Sequence, residues 1–463
     1  MAVRFYNTLS RSVEPLQPLV EGKVSFYACG PTVYDYFHIG NARSFVVADI
    51  VRRYLEYRGY DVSFAMNITD IDDKIIKKAH EEGVPASEVA EKYAAAFLQD
   101  IEALGIRKPD HTPRATDTIQ EIINHISGLI DAGKAYEVAG DVFYDVTSFP
   151  GYGKLSGKKL EDLVAGARVE ADSRKHNPGD FALWKSAKPE EPSWDSPWGK
   201  GRPGWHIECS VMSQKFLGET FDIHAGGNDL IFPHHENEIA QSEGLTGKPF
   251  ANCWLHFGFL NIDNEKMSKS LGNFFTAREI IKKYKPETLR FFYLQTHYRS
   301  PLNFSQEGLD AAEKGLERFR TLYRALQNAP DGKGVIDISA SRERFNDVVD
   351  DDLNTPGGIG VLFELVKELN NGLSSTAGLS SDTKKAALEF LNATLIDLFG
   401  ILKIEDDAAS DEEFASLMEL VLDVRSMARQ EKNWGMADLI RDKLAELNIV
   451  IEDGKSGSTW KKQ

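Results

Sequence analysis

The chain is 463 residues long, 42% hydrophobic and 27% charged, with a formal net charge of -17. Such a length exceeds one compact core and implies roughly three to five structural units. The acidic balance excludes a protein that coats nucleic acid indiscriminately, because phosphate affinity needs clustered Lys and Arg, and it leaves room only for local basic patches such as 282–299.

The amino terminus, MAVRFYNTLSRSVEPLQPLV, has no basic segment followed by a sustained apolar run, and no later stretch reaches the roughly 18 to 20 apolar residues that span a membrane. A soluble, cytoplasmic chain with no membrane partner is expected. Residues 24–28 (VSFYA) read as a buried strand, 41–59 as an amphipathic helix built on Val47, Ile50, Val51 and Tyr54, and 62–66 (VSFAM) as a second strand. Strand, loop, helix, strand is the parallel unit that opens a doubly wound sheet. After about residue 113 the pattern breaks into helix at about 117–133, a hairpin-like AYEVAGDVFYDV and a Pro- and Trp-rich stretch from Pro178 to Pro203. This stretch reads as an insertion dominated by irregular backbone. The α/β pattern returns with a helix at 206–217, a strand FDIHAG, a helix opened by Pro233 in its first turn and a strand in WLHFGFL. The sheet is thus split in sequence and rejoined in space. From 306 onward strands disappear, long helical patterns such as 308–328 and 357–371 take over, and an acidic break, IEDDAASDEE, sets off a last unit of about fifty residues.

Two segments have the composition of a nucleotide site. Cys29-Gly30-Pro31-Thr32 and His38-Ile39-Gly40-Asn41 lie between the first strand and its helix, where open α/β sheets bind ligands beyond their strand ends. The helix start offers free N–H groups and positive dipole to a phosphate, and Gly40 lets a nucleotide approach the backbone. Lys266-Met267-Ser268-Lys269-Ser270 follows a strand and ends in Leu271-Gly272-Asn273; two lysines on such a loop can neutralise the charge of a departing pyrophosphate. Taken singly, the first segment also fits a glycine turn with one histidine, and the second a solvated basic turn. Neither a phosphate-binding G-x-x-x-x-G-K-[ST] nor a dinucleotide G-x-G-x-x-G is present at the first helix start.

Three cysteines, Cys29, Cys209 and Cys253, are too few and too far apart for a disulfide framework, which favours a reduced compartment with metal or reactive-thiol roles. His234 and Glu238 stand four apart and share a helix face, while Cys29 and Cys209 sit near element ends on the same sheet edge. Two thiolates, one imidazole and one carboxylate suit zinc in charge and softness. The plainer alternative has His234 capping a helix, Glu238 in solvent and both cysteines as small buried hydrophobes. Cys253 lies in an apolar run and is left outside the site. His235 points to another helix face, as a substrate contact or a satisfied partner.

Together, the 38–41 and 266–270 segments resemble the paired signatures of the class I aminoacyl-tRNA synthetases. Asn41 stands where the fourth position is usually histidine, a form that resembles the cysteine-specific branch. FYACGPTVYDYFHIGNAR (26–43), NITDIDDKII (67–76), GWHIECS (204–210), FDIHAGGNDLIFPHHENEIAQSE (221–243) and DDLNTP (351–356) extend the resemblance over nearly the whole chain. It implies a ligase that forms cysteinyl adenylate and pyrophosphate from L-cysteine and ATP, then passes cysteine to the 3′-terminal adenosine of tRNA(Cys), as a monomer. It places one zinc on Cys29, Cys209, His234 and Glu238, with the substrate thiolate on the metal. It gives catalysis to His38, Lys266 and Lys269, and ATP binding to Thr32, His38, Gly40, Asn41 and the same lysines, with Mg²⁺ on the phosphates. Gly30, Thr69, Trp205 and His224 would line the amino-acid pocket, and Arg429, Trp434, Asp438 and Asp453 would meet anticodon bases by hydrogen bonds or stacking. A hydrophobic pocket separates near-isosteres by only about 100-fold, so a metal that reads sulfur can replace an editing site.

The fold expected is α/β: a Rossmann-like, doubly wound parallel-sheet catalytic domain in two halves (1–115 and 205–270) around an inserted connective domain (116–204). A signature-loop and stem-contact region (271–307), an all-α helical bundle (308–402) and a small C-terminal anticodon-binding domain (405–463) follow. Two other functions share some of these features: a cysteine ligase acting on an amino sugar in low-molecular-weight thiol synthesis, and a non-catalytic zinc RNA-binding protein. The 405–463 segment argues against the first, and intact His38, Lys266 and Lys269 against the second.

Overall fold

The computed structural model describes residues 2–159, 173–262, 265–266, 275–403, 407–447, 449–454 and 457–462. It divides into two compact units, Met1–Leu402 and Lys403–Gln463. The first unit begins with a hairpin, β1 (Arg4–Asn7) and β2 (Ser12–Pro15), and continues into β3 (Lys23–Ala28), α1 (Ile39–Tyr57) and β4 (Asp61–Met66). Two helices that periodicity did not single out follow, α2 (Asp73–Glu82) and α3 (Ala86–Ala103). The inserted segment holds α4 (Ile119–Asp131), β5 (Ala135–Val138), β6 (Asp141–Tyr144), β7 (Phe181–Ser186) and β8 (Gly201–Pro203). The chain then returns through α5 (Trp205–Leu217), β9 (Phe221–Gly227), α6 (Glu236–Thr246) and β10 (Ala251–Phe257).

The central sheet is parallel, in the order β10-β9-β3-β4. Strands from the two sides of the insertion therefore pair directly: Phe26 faces Ile223, Tyr27 faces His224 and Ala28 faces Ala225. Both faces of β3 are covered. Phe26 and Ala28 join the large core beneath α1, whereas Tyr27 joins a smaller cluster with Cys209, Phe221, Ile239 and Trp254. A doubly covered parallel strand reads as a continuous apolar run, which is why VSFYA was legible. The insertion is more regular than its Pro and Trp content suggested: an antiparallel sheet ordered β5-β6-β7-β8, packed on Ile119, Ile122, Ile123, Ile126 and Leu129 of α4. Its first turn, Ala139-Gly140, has positive φ at both residues (53° and 86°), the geometry that joins two strands without splaying them.

One local expectation holds and one is corrected. Helical backbone does open at Pro233: Phe232, the residue before the proline, is extended (φ -140°, ψ 131°), and the wide turn through Ile231–His235 runs straight into α6. The strand expected through 254–260 ends at Phe257; a side chain at Gly258 would meet the Ser300 carbonyl oxygen at 2.4 Å, and pairing resumes only at β11 (Leu260–Ile262). Buried Arg43 of α1 fixes that turn, donating to the carbonyls of Gly258 (2.9 Å), Phe259 (3.0 Å), His297 (3.2 Å) and Ser300 (2.8 Å).

After β12 (Glu265–Lys266) come α7 (Ala277–Ile281), α8 (Pro286–Leu294) and β13 (Leu302–Phe304), which lies parallel to β11. Helices α9 (Gln306–Asn328), α10 (Ile338–Asp350), α11 (Thr355–Ser374) and α12 (Ser381–Leu391) form a bundle whose apolar face is continuous with the core under α1. The second unit contains α13 (Asp407–Gln430), α14 (Trp434–Glu446) and an antiparallel hairpin, β14 (Ile449–Gly454) with β15 (Gly457–Lys462). The expectation that strands vanish after 306 fails at this hairpin. There the β-branched Ile449, Val450 and Ile451 favour extended backbone, and Ile449 packs on Met418 and Leu444. Among the described residues no helix is long and apolar enough to cross a membrane.

Candidate active site and metal centre

The site lies where β3 and β9 end. Gly30 follows Cys29 directly, and a Cβ there would sit 1.7 Å from the Asn67 carbonyl oxygen, so only glycine fits while its N–H donates to Asn67 Oδ1 at 2.8 Å. His38 caps α1: its Nδ1 accepts from the Asn41 N–H at 3.1 Å, which leaves a neutral ring's proton on Nε2. The chain leaving the lysine-bearing segment runs beside this cap. Ile39 N–H donates to the Phe275 carbonyl and Ala277 N–H to that of Phe37, so the residues from Phe275 onward lie against the start of α1 although far from it in sequence.

A cleft of about 300 Å³ opens there, walled by Cys29, Gly30, Thr32, His38, Asn41 and Trp205 among others. Gly40 sits in the first turn of α1. Thr69 and His224 are buried behind the wall. Thr69 donates to Glu208 Oε2 at 2.9 Å and accepts from Asn67 Nδ2 at 3.2 Å. Lys266 lies on β12, with its side chain outside the described residues, and Lys269 is outside them altogether. In the second unit Arg429, Trp434 and Asp438 are exposed, Trp434 to 57%, and Asp438 pairs with Arg441 at 3.0 Å; Asp453 lies on β14, its side chain also outside the described residues.

Behind Cys29 lies a buried cluster. Cys209 comes from α5, His234 and His235 from the turn before α6, Glu238 from α6 and His224 from β9. Glu238 is the hub. Its Oε1 lies 3.0 Å from His234 Nε2 and 3.8 Å from Cys29 Sγ, and its Oε2 lies 2.8 Å from His224 Nε2. His206 Nδ1 faces His234 Nδ1 at 2.9 Å, and the Trp205 indole stacks on His234 with centroids 4.3 Å apart.

Among the described residues two sets of four donors lie within 4.8 Å of one another: Cys29, Cys209, His234 and Glu238, and Cys29, His224, His235 and Glu238. Tetrahedral zinc, with bonds of roughly 2.0 to 2.3 Å, requires donors about 3.3 to 3.8 Å apart, so the cluster fits such an ion in spacing and chemistry.

His235 departs from the expectation that it faces elsewhere. Its Nε2 is 3.3 Å from Cys29 Sγ and its Nδ1 2.8 Å from His256 Nε2, which makes both histidines part of the cluster. Its spacing of three from Glu238, one helical turn, was the available signal. His256 is on β10, and nothing in its strand-like surroundings marked it. Cys253 is buried in the same strand, its thiol pushed up by burial, away from the cluster.

The metal-free cluster is held together by protons. Burial raises the Cys29 thiol well above its usual range, whereas the hydrogen bond from Cys29 lowers Cys209 to about 6. Burial opposes charge on His234, but Glu238 and Cys209 outweigh it and lift the imidazole to about 10. Burial likewise opposes ionisation of Glu238, and His224 and His234 overcome it to hold the carboxyl at about 2. At pH 7.5, then, Cys29 and His234 carry protons that a metal must displace. Loading zinc into metal-free protein is expected to release about two protons, with apparent affinity rising roughly 100-fold per pH unit between pH 7 and 9. Titration with a pH indicator tests this, and a proton release near zero would refute it.

Sequence comparison agrees with the geometry. Family models match over residues 15–314 (tRNA synthetases class I (C) catalytic domain), 344–403 (DALR domain) and 411–460 (cysteinyl-tRNA ligase anticodon binding domain). The chain is 51% identical over 470 residues to a cysteine--tRNA ligase of Geobacillus thermodenitrificans (strain NG80-2) and 49% identical over 479 residues to one of Thermococcus onnurineus (strain NA1). Each alignment covers 100% of this chain and 99% of the relative. In fold it resembles a Mycobacterium tuberculosis methionyl-tRNA synthetase in complex with methionyl-adenylate (TM-score 0.60, 15% identity, 81% of this chain and 88% of that one). It likewise resembles the LeuRS of Agrobacterium radiobacter K84 in a ternary complex with tRNA and LeuAMS (TM-score 0.57, 11% identity, 83% and 84%).

Proposed function

The chain belongs to the cysteine--tRNA ligase family of class I aminoacyl-tRNA synthetases, and from that premise we propose that its buried sulfur-bearing cluster is where the substrate is chosen. The protein activates cysteine with ATP and charges tRNA with it. The observation that carries the reading is the cluster of two thiols, an imidazole and a carboxylate standing behind Cys29 at the wall of the cleft that His38 also lines. The metal is zinc, held by Cys29, Cys209, His234 and Glu238. A zinc ion bound there lowers the pKa of a thiol and prefers sulfur to the hydroxyl of serine.

The surrounding residues prepare that choice. His224 donates to Glu238 Oε2 and so turns Oε1 toward His234 and Cys29. Contact between the Nδ1 atoms of His206 and His234 leaves His234 Nε2 facing the cluster, the outer support that metal-binding histidines need. Trp205, 38% exposed and stacked on His234, covers the cleft side and keeps water from it. Gly30, Thr69, Trp205 and His224 shape the amino-acid pocket. The cysteine carboxylate attacks the α-phosphorus of ATP in line and pyrophosphate leaves. The His38 Nε2–H, the backbone at Gly40 and the Asn41 side chain meet phosphate oxygens beside Thr32, Lys266 and Lys269 neutralise the departing charge, and Mg²⁺ accompanies the phosphates. The terminal ribose 2′-hydroxyl of tRNA(Cys) then attacks the activated carbonyl. Arg429, Trp434, Asp438 and Asp453 read the anticodon, with the exposed indole of Trp434 offering a stacking face. We place the reaction in the cytoplasm, on a monomer.

The match of 411–460 to an anticodon-binding model counts against the amino-sugar ligase, and the match of 15–314 to a catalytic-domain model counts against the non-catalytic RNA-binding protein. Cysteine-dependent exchange of pyrophosphate into ATP is the test, with serine and a chelated sample alongside. Exchange with cysteine alone, lost on chelation, is expected. Zinc-replete protein that supports no exchange, or exchanges equally with serine, overturns the reading.

A further inference from the structure

Arg43 is buried to 1% exposure just past the first turn of α1, the turn that presents His38 and Asn41 to the cleft. Among the described residues no carboxylate stands against its guanidinium; its partners are the carbonyls of Gly258, Phe259, His297 and Ser300. A buried charge met only by dipoles is a costly brace, and its planar fork fixes direction as well as distance, which a lysine cannot. A second tie holds the same turn: Tyr293 of α8, equally buried, donates its O–H to the Ile39 carbonyl at 2.8 Å. The loop that Arg43 grips, 297–300 between α8 and β13, is held by the bundle as well. Asp352, in the joint between α10 and α11, is 4% exposed and has left-handed backbone (φ 60°), uncommon for a residue with a side chain and sustained only where its surroundings enforce it. Its Oδ1 accepts from the Tyr298 O–H at 2.5 Å and the Tyr6 N–H at 2.8 Å, and its Oδ2 from Arg299 Nε at 2.7 Å. One short loop thus meets a guanidinium from the helix of the cleft and a carboxylate from the bundle.

We propose that Arg43 is a positioning residue for adenylate formation: through loop 297–300, which Asp352 fixes, it sets the place of the α1 start, and so of His38 and Asn41, against the phosphates. The inference rests on the reading of that helix start as the phosphate site. Neither Arg43 nor Asp352 lines the cleft, so both act through the groups they hold. Reacting groups tolerate little displacement, and a shift of about 1 Å can cost roughly 100-fold in rate.

Arg43→Lys keeps the charge and loses the fork. In cysteine-dependent pyrophosphate exchange its kcat per folded molecule is expected to fall roughly 10- to 50-fold, with KM for ATP and for cysteine within about threefold of wild type and metal content equal. Arg52→Lys is the control. Arg52 is buried later on the same helix, bonded to the Lys108 carbonyl and to Asp110, and this change should lower the unfolding midpoint without altering kcat. A wild-type kcat in Arg43→Lys, or an equal loss in Arg52→Lys, makes Arg43 a brace of the fold and overturns the proposal. Should Arg43→Lys not fold, Asp352→Asn, which keeps an acceptor for the Tyr6 N–H and removes the charge opposite Arg299, should show the same loss in kcat alone; an unchanged kcat there refutes the proposal. Where both fold, the double variant should lose little more than the worse single one, and losses that multiply mean that the two residues do not act through one loop. His38→Ala separates the readings: exchange untouched by it sinks the phosphate reading of the helix start, whereas exchange abolished by it, with Arg43→Lys at the wild-type rate, sinks only the role of Arg43.

Discussion

Cys209→Ala is expected to strip the ion from the protein and to lower cysteine-dependent pyrophosphate exchange by more than the 10- to 100-fold typical of an outer-shell loss. The preference for cysteine over serine should collapse with it. What remains is a shaped pocket, and such pockets separate near-isosteres by about 100-fold at most. The same variant decides between the two donor sets. Cys29, His224, His235 and Glu238 are untouched by it, so retention of metal and of cysteine selectivity would mean that the second set holds the ion. His235→Ala is the reciprocal experiment: it should spare metal content if Cys209 is a ligand and abolish it if not. Metal analysis of purified protein and the cysteine-to-serine ratio of exchange rates are the two readouts.

Asp49→Ala should destabilise the first unit by about 3 to 5 kcal/mol, seen as a lower midpoint of thermal or urea unfolding. Asp49 is 1% exposed on α1, and its Oδ2 accepts from Arg290 at 2.8 Å and from Arg53 at 2.8 Å, while its Oδ1 accepts from the Arg107 N–H at 3.1 Å. Arg290, also 1% exposed, otherwise donates to main-chain carbonyls of Phe399, Leu104 and Gly105. Removing the carboxylate leaves a guanidinium in the core with dipoles for partners and no counter-charge. Arg290 lies on α8, and Phe399 follows the bundle, so the damage should spread to the joint among α1, α8 and the helical bundle. A loss below about 1 kcal/mol would show that water reaches the pair and that the charge was never isolated.

The sequence was most informative where a single demand governed many residues. Buried parallel strands need continuous apolar runs, which VSFYA, VSFAM and FDIHAG supply, and the sheet they form is the one observed. The clustering of Cys29, Cys209, His234 and Glu238 was legible in part because His234 and Glu238 are one turn apart and the cysteines are scarce. His235 escaped because faces assigned from an ideal α-helix do not apply to the turn through Ile231–His235, a wider π-type turn that rotates its side chains relative to those of α6. His206 and His256 escaped because their roles are set by neighbours distant in sequence; nothing local distinguishes a histidine that holds another histidine from one that is merely buried. Helices α2 and α3 carry Ile75, Ile76, Ala79 and Val89, Tyr93, Phe97 at helical spacing, but they follow directly on the polar NITDIDD motif, which has no such periodicity. The C-terminal hairpin is hard to read locally because charged residues outnumber its few packed ones.

The pairing of β3 with β9 has a consequence for synthesis of the chain. The two strands are adjacent in space, yet nearly the whole insertion is translated between them. A nascent polypeptide that has emerged through β4 has one flank of β3 paired and the other bare, an open edge of the kind that invites wrong partners. It carries Cys29 but none of the other clustered side chains, Cys209, His224, His234, His235 or Glu238, and therefore one candidate donor. Contacts of such separation form late and slowly. Assembly of the cluster thus coincides with closure of the sheet, so a chain whose cluster is complete has, by that fact, finished the most demanding step of its folding.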